Sequence, residues 1–271
     1  MLLQGHLHYR TLSVGLGSIR QDLDKPYRGR NKIENPEGRR TLQHATVLTA
    51  DYALAERWSL GLFVPYRWSE TRGRIRGSVR GFGDAGFNAR YAVNQPHTSS
   101  LEVHAMGSVS FPTGKVETAF LDQNIVLGVG APTLGAGVEA AFAARDGGRA
   151  FTRLLGSRPI GASDAGVRFG GALSTSAGYG RAWVAGGRSR WALSAAAIRT
   201  GADRDGSVPN PNRGGRRITA TAGSSFPAGP SSEVTLGIER LVSADLRGDQ
   251  LAATWSGFLG LRWTHPELGK Q

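Results

Sequence analysis

The stretch Trp58–Ser69 reads WSLGLFVPYRWS. Trp58, Leu60, Leu62, Val64, Tyr66 and Trp68 share one parity; Ser59, Gly61, Phe63, Pro65, Arg67 and Ser69 share the other. Successive side chains of a β-strand point to opposite faces, so this segment predicts a strand with one apolar face and one small or polar face. An average strand of a soluble protein has about 5–6 residues, whereas a tilted strand needs about 9–11 to cross a bilayer. The apolar face opens and closes on Trp or Tyr with aliphatics between, the pattern of a membrane strand whose ends sit at the two interfaces.

The same rhythm recurs toward the C-terminus. Leu251, Ala253, Trp255, Gly257, Leu259, Leu261 and Trp263 oppose Thr254, Ser256, Gly260 and Arg262. Further alternating runs start near Leu101, Leu134, Val167, Ile218 and Val234, with less regular ones at Gln4–Ser13, Leu42–Leu54, Asp84–Asn94, Arg149–Gly156 and Trp191–Thr200. The total is about twelve strands, an even number as a closed single-chain barrel requires. Long polar connections are expected at Gly15–Arg40, Arg72–Gly83, Thr113–Gly130, Ser157–Asp164 and Gly201–Gly215. Short turns are expected around Ala55–Glu56, Gln95–Ser99, Arg145–Gly148 and Pro227–Ser231. Alternation of long and short connections is the barrel rule; Gly180–Ser189, too long for a short turn, and the short Leu246–Gly248 hairpin depart from it. The expected fold is all-β: one transmembrane antiparallel up-and-down β-barrel domain over residues 1–271.

Composition agrees. Of 271 residues 39% are hydrophobic and 39 are glycine; a soluble chain carries about 45–50% apolar residues, so the deficit suits strands that offer only half their side chains to an apolar phase. No run of about 18 apolar residues predicts a membrane helix. The opening MLLQGHLHYRTL lacks the basic, apolar and small-residue regions of a signal peptide; the barrel pattern leads us to expect that a leader preceded this sequence and that the protein resides in the bacterial outer membrane. With no cysteine, thiolate metal sites and cysteine nucleophiles are excluded.

Three stretches carry a family resemblance. DYALAERWSLGLFVPY spans Asp51–Tyr66, GFGDAGFNARY spans Gly81–Tyr91, and Phe111-Pro112-Thr113-Gly114 precedes LGVG at Leu127–Gly130. Their order and spacing resemble the "transporter" barrels of the phenol meta-degradation type, which are outer-membrane proteins. The resemblance covers the first half of the chain in motif detail and the second half in strand rhythm. It implies a channel or uptake function without naming the cargo.

The strand parities place Arg67, Asp84, Asn88, Arg90, Glu102, His104, Glu139, Arg168, Arg217, Glu239 and Arg262 in the lumen. Rings of charged side chains set which solutes a pore passes, so an arginine-rich lumen favours small anionic or aromatic solutes; mutual ion pairing of the same residues would instead fill a narrow barrel. Asp84 has a second reading as a turn residue capping backbone N–H groups. The girdle residues are Trp58, Tyr66, Trp68, Tyr91, Trp255 and Trp263. The net charge of +12 raises nucleic-acid binding, but the basic residues form no recognisable nucleic-acid element. Loop arginines (Arg28, Arg30, Arg39, Arg40, Arg72, Arg74, Arg76 and Arg80) are instead expected to meet lipopolysaccharide phosphates, which guanidinium binds bidentately. His6 and His8 share a strand face without a third ligand, so no metal is expected. No GxSxG, P-loop lysine or dinucleotide fingerprint is present, and neither enzyme activity nor a cofactor is expected.

Overall fold

The computed structural model describes residues 10–73, 76–94, 100–114, 127–164, 166–183, 187–210 and 213–265. In chain order the strands are β1 (Leu12–Gly29), β2 (Asn31–Lys32), β3 (Arg40–Ala55), β4 (Trp58–Arg72), β5 (Gly77–Phe82), β6 (Gly86–Ala92), β7 (Leu101–Ser110) and β8 (Thr133–Ala143). They continue with β9 (Arg149–Pro159), β10 (Val167–Arg168), β11 (Ala172–Ala182), β12 (Arg190–Thr200), β13 (Arg204–Asp205), β14 (Val208–Pro209), β15 (Gly215–Pro227) and β16 (Ser232–His265).

Neighbours pair antiparallel in chain order, and β16 returns to pair with β1, from Leu12↔His265 to Gly29↔Leu246, which closes the sheet. Eleven of the thirteen strands of that sheet form the wall, all but β2 and β5. β16 counts twice: Glu233–Leu246 pairs with β15, and the rest of the strand pairs with β1. The fold-back is at Gly248, whose φ of 59° suits a residue without Cβ. The wall therefore has twelve passes. Closure leaves no strand edge unpaired, the condition for a sheet in hydrocarbon, where each unpaired backbone group costs several kcal/mol.

The packing is inverted relative to a soluble protein. Leu16, Leu48, Leu60, Leu62, Phe87, Leu134, Val138, Leu154, Leu193, Ile238, Leu259 and Leu261 stand exposed on the outer wall. The buried apolar side chains are mostly alanines, while Ser13, Thr41, Thr71, His104 and Glu139 are buried inside. A continuous exposed apolar band of this size marks a surface that meets lipid.

Several expected boundaries move. The polar loop expected at Gly15–Arg40 is mostly wall: β1 runs to Gly29, with Gly15, Gly17, Ile19 and Gln21 alternating inward. Glycine and serine mask that alternation in the sequence because they are small on either face. Much of the expected Arg72–Gly83 loop is β5, and Gly180–Ala182 belongs to β11. The run read from Val167 joins the wall only at Ala172; Val167–Arg168 pairs with β13, and β13 with β14, in a separate three-stranded sheet beyond the wall. The expected turn at Gln95–Ser99 lies outside the described residues, as do most of Gln4–Ser13 and most of the Thr113–Gly130 connection.

Candidate functional site: the barrel lumen

Register fixes which side chains share the interior. Across β6, β7, β8 and β9 the inward positions align as Arg90↔Met106, His104↔Glu139 and Glu139↔Arg153. Arg90 donates to Oε1 of Glu139, and Arg153 donates through Nε to Oε2 at 2.6 Å. The Glu139 side chain is 3% exposed, so its charge is held between two guanidiniums rather than by water. Beside it, Arg149 donates to Glu102 Oε2 at 2.5 Å, and the His104 Nε2 lies 3.6 Å from the same oxygen. The sequence reading placed Arg90, Glu102, His104 and Glu139 in the lumen. It missed Arg149 and Arg153, whose strand has ambiguous facing in sequence.

A second cluster forms where the wall is interrupted. β5 and β6 both pair with β4, β5 nearer the loop end, with Gly83, Asp84 and Ala85 between them. The Asp84 carboxylate turns inward and accepts the backbone N–H groups of Gly114 (3.0 Å) and Val129 (2.6 Å). These partners lie 30 and 45 residues away, so Asp84 does not cap its own turn. Thr113 Oγ1 accepts from Ala85 N at 2.8 Å and donates to Gly83 O at 2.8 Å. Leu127 packs on the inward Val79, and these two form the buried apolar cluster of the molecule. A Cβ at Gly128 would strike Asp84, and one at Gly114 would come within 2.8 Å of the Gly128 backbone. Bare glycines let the two chain segments close on the carboxylate. The two ends of the Thr113–Gly130 connection are thus rooted inside the wall; residues 115–126 lie outside the described residues.

Opposite these clusters is a cavity of about 1030 Å³ lined by Asp51, Phe63, Asn88, Arg190, Phe258 and Arg262 among others, with Glu233 and Glu239 on its wall. Arg262 donates to Ser13 Oγ at 2.6 Å, and Thr219 donates to Glu239 at 3.2 Å. Arg67 has inward parity beside the Asp84 cluster, with its Nε 3.5 Å from where a Gly83 Cβ would be. Arg217 has inward parity at the loop end, opposite Ile198. Arg168 does not join them: it is exposed in β10, outside the wall, because the strand that carries the barrel register begins four residues later. By strand parity the lumen holds Arg67, Arg90, Arg149, Arg153, Arg190, Arg217 and Arg262 against Asp51, Asp84, Glu102, Glu139, Glu233 and Glu239. Seven cations against six anions is a nearly balanced interior, so most of the formal +12 lies elsewhere.

The aromatic residues stand on the outer wall at two levels. Trp58 contacts Tyr91 with centroids 4.8 Å apart, and Trp263 contacts His265 at 5.4 Å, both at the end with the short turns. Tyr66 and Phe82 meet edge-on at 5.4 Å toward the loop end, where Trp68 and Trp255 also face outward. Tyr179 and Trp191, 5.7 Å apart, extend the first level. The His6/His8 pair lies outside the described residues.

No family model and no curated protein matches the sequence. Solved structures do match. A crystal structure of an outer-membrane channel from Pseudomonas putida F1 superposes with a TM-score of 0.79 at 11% identity, over 96% of this chain and 97% of that one. The translocator domain of the autotransporter NalP from Neisseria meningitidis gives 0.54 at 12% identity, over 95% and 89%. The NanC porin gives 0.51 at 8%, over 91% and 98%. At such identities the likeness is one of architecture: this chain has the fold of the outer-membrane β-barrels.

Proposed function

We propose that the protein is an outer-membrane channel that passes small solutes through the lumen, as the resemblance to the phenol meta-degradation "transporter" barrels implies. The observation that carries this reading is the cavity of about 1030 Å³ inside a closed wall, which combines the guanidiniums of Arg190 and Arg262 with the rings of Phe63 and Phe258. Such a wall suits solutes with both an anionic group and an aromatic or apolar face, since guanidinium pairs with carboxylate and stacks on rings. Arg90 and Arg153 are committed to Glu139, so selectivity falls to the less engaged arginines. The likeness to a channel and a porin supports conduction in general.

Planar-bilayer conductance tests the reading. The parent protein is expected to open steps with anion preference, and replacing Arg190 and Arg262 with Glu is expected to move the reversal potential toward cations. Unchanged reversal potentials would remove these residues from the path. A second reading, a non-conducting barrel serving as an envelope scaffold or partner-binding shell, draws on the Glu139 cluster and the rooted ends of the Thr113–Gly130 connection, both of which occupy lumen. It predicts no current.

A further inference from the structure

The excess positive charge sits on the lipid side of the wall. Arg20, Arg80, Arg158, Arg199, Arg216 and Arg240 share the parity of exposed neighbours such as Leu16, Leu134, Leu193 and Ile238, and all six are exposed. Barrel strands tilt by about 35–45°, rise about 3.3 Å per residue and lie about 4.8 Å apart. Followed through the register from Trp58, the six arginines fall in one band, roughly 18–28 Å above it. Trp68 and Trp255 lie in the same band. This is the loop-end edge of an apolar belt about 25 Å tall.

The loop arginines are differently employed. Arg28 pairs with Asp249, Arg30 with Asp245, Arg40 with Asp22 and Arg72 with Glu70. None of the six belt arginines has a carboxylate within 4.0 Å among the described residues. Arg199 and Arg216 are direct partners across β12 and β15, both on the lipid side. Like charges directly opposite one another destabilise a sheet unless an anion lies between them. Arg240 lies over the Trp255 ring at 5.1 Å, which holds its guanidinium in place. Below Arg20 an open apolar groove of about 740 Å³ runs along Leu259, Ile238, Leu236 and Leu193 to Trp191, room for an acyl chain beneath a headgroup.

We propose that this belt binds the phosphate groups of lipid A in the outer leaflet, with Arg199 and Arg216 as the principal clamp. The assignment rests on the outer-membrane reading but not on conduction. Guanidinium pairs with phosphate through two parallel hydrogen bonds, and a water-poor interface strengthens them. Purified full-length protein titrated with bisphosphorylated lipid A, followed by native mass spectrometry, tests it. Replacing Arg199 and Arg216 together with Gln is expected to weaken binding about tenfold, the loss of roughly one charge-assisted contact. Arg145→Gln, at the opposite end of the barrel, is expected to bind as the parent does. Should the double variant fail to fold, Arg20→Gln with Arg240→Gln is expected to lower affinity in the same direction. Equal affinity in parent and folded variants would overturn the proposal. So would equally tight binding of dephosphorylated lipid A or of phosphatidylglycerol. Reversal potentials, governed by the lumen, are expected not to change, so failure here and failure of the channel reading are separable.

Discussion

Asp84 Oδ2 accepts the N–H of Val129 at 2.6 Å across 45 residues of sequence, while its other oxygen holds Gly114. One carboxylate in a break of the wall therefore ties down both ends of the longest connection inside the barrel. Hydrogen bonds to a charged acceptor contribute about 1.5–3 kcal/mol each. Asp84→Ala is expected to release the root at a cost on the order of 3 kcal/mol, allowing for lumen water. Single-channel recordings should show larger and noisier openings, and Asp84→Asn, which keeps one acceptor oxygen, should fall between. Recordings identical to the parent's would mean that the root does not control the pore. Gly128→Ala is expected to resemble Asp84→Ala, since its Cβ would collide with the carboxylate.

Glu139 is the anion on which Arg90 and Arg153 converge. Glu139→Gln leaves two inward guanidiniums facing each other. Removing one partner of a buried ion pair costs about 3–5 kcal/mol. The folded, heat-modifiable band in gel electrophoresis is expected to disappear at a markedly lower temperature than in the parent. If the transition temperature stayed within a degree or so, the cluster would be a solvated charge run. In a folded variant, anion preference should increase.

Leu48 stands outward, 49% exposed, near mid-height of the wall between Leu16 and Val64. A charged arginine on the lipid face at the bilayer midplane costs about 2–4 kcal/mol, whereas an exposed surface change in a soluble protein is usually within about 0.5 kcal/mol. Denaturant titration of Leu48→Arg in lipid vesicles is expected to show the larger loss. A near-zero loss would deny that this face meets hydrocarbon.

At the loop-end rim Arg28 donates two hydrogen bonds to Asp249, at 2.6 and 2.7 Å. The Arg28 hydrogen bond is the largest influence on the Asp249 carboxyl and holds it below the usual carboxylate range. A depressed folded value means that the pair contributes above the unfolded value near pH 4 and is lost as pH falls through the folded value. Both groups are near the surface, so the contribution is small and screened by salt. Hydrogen exchange in the hairpin around Gly248 is expected to speed up, relative to the barrel wall, as the pH is lowered below about 4. Replacing Asp249 with Asn should abolish that extra acceleration; its persistence would assign it to another group.

The clearest strands in sequence were those whose two faces differ in size as well as polarity. Trp58–Ser69 and the C-terminal run announce their facing because bulky aromatics and aliphatics alternate with Ser, Gly and Arg. β1 and β9 do not: glycine and serine in one, and Phe151 and Leu155 turned inward beside Arg149 and Arg153 in the other, blur the alternation. That blur hid Arg149, Arg153 and Asp51 from the sequence-based lumen, and it admitted Arg168, whose short strand pairs outside the wall.

The sequence by itself determined the class of protein: two-faced strands of membrane-crossing length, aromatics at their ends, long and short connections in alternation, and no apolar helix. These are local properties, written in parities and spacings along a single segment. Tertiary structure decided which charges meet. The convergence of Arg90 and Arg153 on Glu139, the anchoring of Gly114 and Val129 by Asp84, and the belt of outward arginines depend on the offset between neighbouring strands and on the tilt of the closed wall. A shift of one residue in that offset turns every side chain to the other face. Register is a relation between strands, so no single strand carries it.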